Sequence, residues 1–434
     1  MTTGGAAPSP DRRTPRASAI AIVHRLQRDG RTAYLAGGCV RDELLGLHPQ
    51  DYDVATDAPP DRVAELFSRT RAVGKSFGVM LVTHSGSTIE VATFRAEGPY
   101  SDRRRPDAVR FATPEEDAQR RDFTINALFI DPLDPKHQPD GRVIDFVGGQ
   151  ADLAARVIRA VGDADARLAE DHLRALRAVR FAGRLGFTID PPTADAITRH
   201  ATELAGVSRE RIGDELRRMM ADPNRAQAIA LLHRLGLDGP TLTELCLPDR
   251  NAQTVAALPD AISFAGALVA WAIDRAAIDH PMTPQQADHI ATDIGSRWRS
   301  ALCLTNDERE AFSAIARGVA ALEGSWAGWG VAPRKRAGGA LWFAAALRIV
   351  AVRSPDLARA ISADRDALAS TPGGLAPEPL VVGDHLIAAG LRPGPRFGPW
   401  LERLYDLQLE GKLASTDAGI ALVREWSAAK NARP

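Results

Sequence analysis

The spacing of apolar residues changes period near Ala151, and that change restricts the architectures open to this chain. Before it, apolar residues fall in short runs broken by Gly, Pro and Asp, the pattern of strands and brief helices. Tyr34–Ala36 reads as a strand that ends at Gly37–Gly38, and Val40–Leu45 as a helix that stops at Gly46. Asp51–Thr56 reads as a second strand. Pro59–Pro60 opens a helix with Val63, Leu66 and Phe67 on one face. Phe77–Thr83 and Thr88–Phe94 predict a hairpin around Ser85–Gly86–Ser87. After the change the chain is Ala-rich with helical spacing, as in Ala226–Leu235, Phe264–Ala276 and Leu341–Arg353. Gly239–Pro240, Gly328–Pro333 and Thr371–Pro379 are candidate boundaries. The expectation is an α+β protein: a small N-terminal head with a mixed sheet, then an all-α remainder.

At 434 residues, the chain exceeds one ordinary core. The formal net charge of -1 announces no polyanionic partner, although a basic groove can coexist with an acidic remainder. Only Lys75, Lys136, Lys335, Lys412 and Lys430 are lysines among 54 basic residues, so arginine carries nearly all the positive charge. Cys39, Cys246 and Cys303 are far apart and show no metal-ligand spacing, which suits a reducing cytoplasm. The first residues, rich in Gly, Pro, Ser and Arg, predict a disordered tail without an apolar targeting segment. The apolar run around Leu341–Val350 is interrupted by Arg348 and is too short for a bilayer. No membrane association is expected, and nothing points to a stable protein partner.

The chemistry concentrates in the head. Residues two apart on a strand face the same way, so Asp51 and Asp53 share a side, opposite Tyr52 and Val54. Carboxylates ~7 Å apart along a strand repel unless a cation lies between them. Mg²⁺ suits such a pair, because it prefers hard oxygen ligands and is commonly shared with substrate phosphates. On Thr88–Phe94, Ile89, Val91 and Thr93 share one face and Glu90 takes the other, where it can act as a third ligand. An Asp-x-Asp pair alone is more often a solvated turn, so context decides. Upstream, Gly37-Gly38-Cys39-Val40-Arg41-Asp42 makes a strand–Gly-Gly–helix turn. Glycines there let backbone amides approach a phosphate at a helix N-terminus, and Arg41 can add a charge-assisted contact. The Walker-type P-loop pattern is missing, which argues against an ordinary ATPase.

These residues belong to an ordered set of motifs. Gly37–Asp42 precedes Asp51 and Asp53; Arg120-Arg121-Asp122-Phe123-Thr124-Ile125-Asn126-Ala127 follows, then Glu170-Asp171-His172-Leu173-Arg174, then Ser208–Leu216. Over Tyr34–Met220 the set resembles the class II tRNA nucleotidyltransferases and bacterial poly(A) polymerases, of the polymerase beta-like nucleotidyltransferase superfamily. The resemblance implies that Asp51, Asp53 and Glu90 bind two Mg²⁺ ions. It implies that Asp122 recognises the ribose, with Arg121 beside it. Asp171 and Arg174 would read the base, and Arg177 and Arg180, one and two turns on, would approach the triphosphate. Asp171 and Arg174 are i,i+3 on a predicted helix, so an acceptor stands beside a donor fork. Cytosine and adenine present an amino group next to a ring acceptor and fit that edge. Uracil and guanine present the reverse and leave groups unpaired.

The resemblance implies four segments after a disordered 1–17: a catalytic head at 18–150, a base-recognising neck at 151–225, a body at 226–335 and a tRNA-binding tail at 336–434. The implied reaction is template-independent addition of C and A, from CTP and ATP, to the 3′ end of tRNA in the cytoplasm. An enzyme adding only CC or only A, a poly(A) polymerase, and an RNA-binding relative without catalysis are the alternatives. Phe94–Pro106 is similar to the flexible loop that CC-adding enzymes lack. Val381–Leu386, Gly390–Pro395 and Trp400–Leu401 resemble a tail that grips tRNA. Glu116–Asp122 looks like the poly(A) polymerase version of its motif and keeps that reading open. No His-Asp dipeptide occurs, so the phosphohydrolase domain of some relatives is not expected.

Overall fold

Thr14 caps the first helix by accepting the Ala17 N–H at 3.2 Å, and Pro15 supplies a first-turn residue that needs no donor. This helix, α1 (Pro15–Arg28), buries Ala19, Ile22, Val23 and Leu26 on one face. The computed structural model describes residues 14–74, 78–97, 109–245 and 252–431. It contains two compact units, divided between Cys246 and Leu247.

In the first unit α1 leads into β1 (Ala33–Ala36), α2 (Gly38–Leu44), β2 (Asp53–Thr56), α3 (Pro60–Leu66), β3 (Thr70–Gly74), β4 (Val79–His84) and β5 (Ser87–Thr93). The short pair β6 (Arg95–Glu97) and β7 (Val109–Phe111) precedes α4 (Pro114–Gln119), β8 (Phe129–Asp131) and β9 (Arg142–Ile144). The main sheet has seven strands in the order β3-β4-β5-β2-β1-β8-β9. It is mixed: β2 and β5 run parallel, and the other neighbours are antiparallel. Tyr34, Phe94 and Phe129 pack at ring-centroid distances of 5.9–6.2 Å and anchor one face.

The predicted strand, helix and hairpin of the head all form. Their ends shift by a residue or two, and one shift touches the site: β2 begins at Asp53, leaving Asp51 just outside the strand. The cause lies in its neighbour. Ala36 pairs with Asp53 as the last rung, because Gly37 (φ +74°) turns β1 away into α2.

The chain continues through α5 (Gly149–Ala155), β10 (Val157–Ile158), α6 (Ala164–Glu170), α7 (Leu173–Leu185), β11 (Thr188–Ile189), α8 (Pro191–His200), α9 (Arg209–Ala221) and α10 (Arg225–Arg234). α7 buries Leu173, Leu176, Val179 and Ala182, and stops at Gly186 in the left-handed region. The sequence reading carried this helix back to include Asp171, and that needs correction. α6 ends at Glu170, Asp171 is extended (φ −154°, ψ 101°), and its carboxylate accepts the Leu173 N–H at 3.1 Å. Asp favours such capping positions over helix interiors, so it separates two helices.

The second unit is helical throughout its described residues. Trp298 packs between Trp271 and Phe312, with centroids at 5.5 and 6.0 Å. Near its end, helix Gly383–Ala388, a turn at Gly390 (φ +85°) and helix Phe397–Leu409 form a helix–glycine turn–helix. Val381, Leu386, Leu404, Leu413 and Val423 make its core. Among the described residues no helix is long and apolar enough to cross a membrane.

Candidate active site

The parallel register of β2 and β5 sets Asp53 directly beside Glu90. The two side chains rise from one sheet face, while Val54 and Val91 point into the core. Asp51, exposed and two residues before Asp53, contributes further negative charge to it. Ala36, Ala55 and Ala92 are the other sheet residues on this floor, and small side chains there leave space above the carboxylates. The space is a cavity of about 540 Å³. Pockets of ~300–1,000 Å³ are usual for small-molecule ligands. Burial is the main reason the Asp53 carboxyl is pushed up to about 6; Glu90 and Asp51 raise it further, and Arg121 partly offsets them. Among the described residues, neither Asp53 nor Glu90 has a basic side chain within ion-pair distance. Such a group of hard oxygen donors could hold a divalent cation.

The cavity's other boundary is basic. Gly37 and Gly38 lie at its edge, with Arg41, Arg121, Asp122, Asp171, Arg174 and Arg177 lining it. Gly37 has a backbone conformation that L residues rarely adopt (φ +74°), which favours glycine there, and a Cβ would also press on Arg121 Nη1 at 2.9 Å. Every arginine of this wall is held by acceptors. Arg41, almost fully buried, donates to Asp42 at 2.8 Å and to Asn126, and sits 4.9 Å above the Phe181 ring. Arg121 donates to Asp117 at 3.0 Å and to the Asn126 carbonyl at 2.9 Å. Arg177 donates to Asp122 at 2.8 Å. Arg174 donates to the Arg167 carbonyl at 2.6 Å and pairs with Glu170. Asp171 is gripped by Arg211 at 2.6 Å.

Asp122 is engaged by three separate donors. It accepts from the Phe123 N–H at 2.8 Å, from Asn126 at 3.0 Å and from Arg177. Burial alone would raise it, but the charge of Arg177 and these bonds outweigh burial and hold it at about 2. Its acceptor capacity is thereby taken up, so a ligand hydroxyl can reach it only if Arg177 gives way.

Of the predicted site residues, Asp51 and Arg180 are not among those lining the cavity, although the charge of Asp51 reaches Asp53. Arg180 lies 4.2 Å over the Phe181 ring and pairs with Glu215, and is not part of the cavity lining. Most of the loop expected at 94–106 falls outside the described residues. Sequence reasoning missed the residues that hold the wall: Asp117, Asn126, Glu170, Arg211 and Glu215. Asn126, Glu170, Arg211 and Glu215 all lie inside motifs already singled out, so position in a motif was the available signal.

Residues 33–159 match the model "Poly A polymerase head domain". Farther along the chain, residues 186–245 match "Probable RNA and SrmB- binding site of polymerase A". The chain is 46% identical over 224 residues to the CCA-adding enzyme of Geobacillus thermodenitrificans, covering 51% of this chain and 54% of that one. It is 43% identical over 215 residues to the CCA-adding enzyme of Bacillus subtilis, covering 49% and 52%. The matched region thus spans about half the length of these curated relatives. The fold match extends further. The crystal structure of the Bacillus stearothermophilus CCA-adding enzyme in complex with CTP superposes with a TM-score of 0.72 at 27% identity, over 96% of this chain and 99% of that one. A Thermotoga maritima CCA-adding enzyme complexed with tRNA shares the fold, with a TM-score of 0.60 at 19% identity over 93% and 94%.

Proposed function

We propose that this protein is a tRNA nucleotidyltransferase that adds C and A, from CTP and ATP, to tRNA 3′ ends and releases pyrophosphate. The observation that carries the reading is the carboxylate floor of Asp53 and Glu90, with Asp51 beside it, facing a wall of anchored arginines across one cavity. Asp51, Asp53 and Glu90 fit divalent ions, and we assign them two Mg²⁺. Bound there, the ions would lower the pKa of the attacking 3′-hydroxyl and neutralise the leaving pyrophosphate.

The chain's own residues do the rest. Gly37 and Gly38 let the backbone come close to the triphosphate, and Arg41, Arg121 and Arg177 supply its counter-charge. Asp122 would take the ribose hydroxyl as Arg177 turns from it toward phosphate. Asp171 offers an acceptor and Arg174 donors to the base edge. Each is preheld, Asp171 by Arg211 and Arg174 by Glu170, so the direction of acceptor and donor is fixed and a base with the reverse edge sets acceptor against acceptor and donor against donor. Arg180 acts one layer back, buttressing Phe181 under Arg41. The proposed division remains a head at 18–150, a neck at 151–225, a body at 226–335 and a tRNA-binding tail at 336–434. A tRNA substrate would place the protein in the cytoplasm.

The deciding experiment supplies three tRNA transcripts, ending before CCA, after C and after CC, with CTP, ATP or both. Completion of all three and a stop after the terminal A is expected. Extension by C only, or only of the CC-ended transcript, would make it a partial enzyme. Open-ended adenylation would establish the second reading, a poly(A) polymerase, which the Glu116–Asp122 segment favours.

A further inference from the structure

Behind the turn that carries Asp171, three side chains from three elements converge. His172 stands at the N-cap of α7, His200 is the last residue of α8, and Glu203 lies in the 3-10 turn Ala201–Gly206. His172 Nε2 is 3.0 Å from one Glu203 oxygen, and His200 Nδ1 is 2.9 Å from the other. The two rings stack at 5.9 Å with an interplanar angle of 28°. One ligand-type atom from each residue lies within 4.8 Å of the other two. Across the ring, His200 Nε2 is 3.0 Å from an Asp165 oxygen, and Arg199 holds the other Asp165 oxygen at 2.6 Å.

We propose that His172, His200 and Glu203 form a zinc site that staples the start of α7 to the end of α8. Two imidazole nitrogens and one carboxylate suit zinc and disfavour Mg²⁺, which seeks an all-oxygen shell. Ligands ~2.0–2.2 Å from a tetrahedral ion stand roughly 3.3 Å apart. The 2.9–3.0 Å contacts, one to each Glu203 oxygen, need to open by a few tenths of an ångström, while the separations that now reach up to 4.8 Å need to close toward that distance. Asp165 completes the arrangement from outside. By accepting the His200 Nε2–H it leaves the Nδ1 lone pair for the metal and orients the ring, the usual carboxylate–histidine–metal relay. His200 and Glu203 reach solvent while His172 is buried, which gives the ion a path in and a fourth position for water. His200 and Glu203 are three residues apart at a helix end, and His172 joins them only through tertiary packing, in which α8 lies against α6, the helix just before His172. The ion would fix the short turn on which Asp171 and Arg174 stand.

The test uses the full chain, stripped with EDTA and kept in millimolar Mg²⁺ so that the Asp51/Asp53/Glu90 floor is filled. Chelator competition and elemental analysis should find one zinc per chain. Co²⁺ in its place should show the d–d absorption of a four-coordinate nitrogen/oxygen site. Zinc about hundredfold above its Kd should raise Tm by roughly 5–10 °C. His200→Gln and Glu203→Gln should each weaken zinc at least about 100-fold, and Asp165→Asn about 10-fold. Retention of zinc in both ligand variants, or no stoichiometric zinc in the wild type, overturns the site. Should the variants fold poorly, carbethoxylation of His200 in the wild type decides: zinc should block it, and equal labelling with and without zinc overturns the proposal. None of these readouts is nucleotide incorporation, so this proposal and the proposed function stand or fall separately.

Discussion

The floor and the wall of the cavity are built on opposite electrostatic rules. On the floor, sheet register forces Asp53 against Glu90 with no arginine in ion-pair reach among the described residues, and burial pushes Asp53 up to about 6. On the wall, each charge has its counter-charge, and Asp122 is held down at about 2. The floor is therefore unfavourable by itself and gains from any cation delivered to it. The wall is already satisfied and gains mainly geometric precision. A rigid, neutralised frame around an under-neutralised centre is a sensible division for a site that must accept both metal and a triphosphate.

The largest test of that contrast is Asp53→Asn. Loss of the carboxylate should cost about 10³-fold or more in kcat, on the order of 4 kcal/mol. Metal-free Tm should stay the same or rise, since a buried repulsive charge is removed. Steady-state nucleotide incorporation beside a melting curve checks both halves. A marked fall in metal-free Tm would mean that the floor is not strained.

Arg177→Met attacks the wall and should show the reverse pattern. Asp122 would be left buried without its main counter-charge, at a cost of about 2–3 kcal/mol in stability given the partial exposure of Arg177. The pH profile gives the sign. Asp122 sits near 2 in the fold against 3.8 unfolded, so its contribution is complete above pH 4 and lost as pH falls toward 2. That contribution is about 2 kcal/mol. Urea unfolding at pH 2 to 6 should show this acid limb in the wild type and a flattened one in Arg177→Met.

The contrast also explains what could be read in advance. The floor was partly legible because period-two alternation assigns faces, Asp53 opposite Val54 and Glu90 opposite Ile89 and Val91; Asp51 lies outside β2, where alternation no longer holds. The glycine turn before α2 was legible for a similar reason, since few local sequences permit Gly37's backbone. The wall was only partly so. Arg174 and Arg177 were found, but their anchors Glu170 and Asp122 reach them through a helix break and across 55 residues of sequence, and no local period encodes such pairings. Asp171 was placed on a helix because its neighbours have helical spacing, and its own capping bond to Leu173 decided otherwise. Arg180 looked equivalent to Arg177 by spacing, yet Glu215 from α9 draws it away.

Smaller effects should separate the members of the wall. Arg174→Ala removes the donor fork but leaves Arg41, Arg121 and Arg177 for the phosphates. Discrimination against UTP should therefore fall roughly 10- to 100-fold in kcat/KM ratio while KM for CTP changes less. Unchanged nucleotide preference would remove Arg174 from base reading. The weakest expected change belongs to Arg211→Ala, which touches no substrate in this scheme and acts only by releasing Asp171. A freed Asp171 keeps its capping bond to Leu173, so the backbone turn should persist and stability should fall by no more than about 1 kcal/mol. The carboxylate would lose its fixed rotamer, costing a few-fold in base selectivity with little change in the rate for the correct nucleotide. Rescue by Arg211→Lys should be incomplete, because a point charge cannot reproduce the two-pronged grip at 2.6 and 3.2 Å. Full rescue would show that charge alone, rather than aim, is what Arg211 supplies.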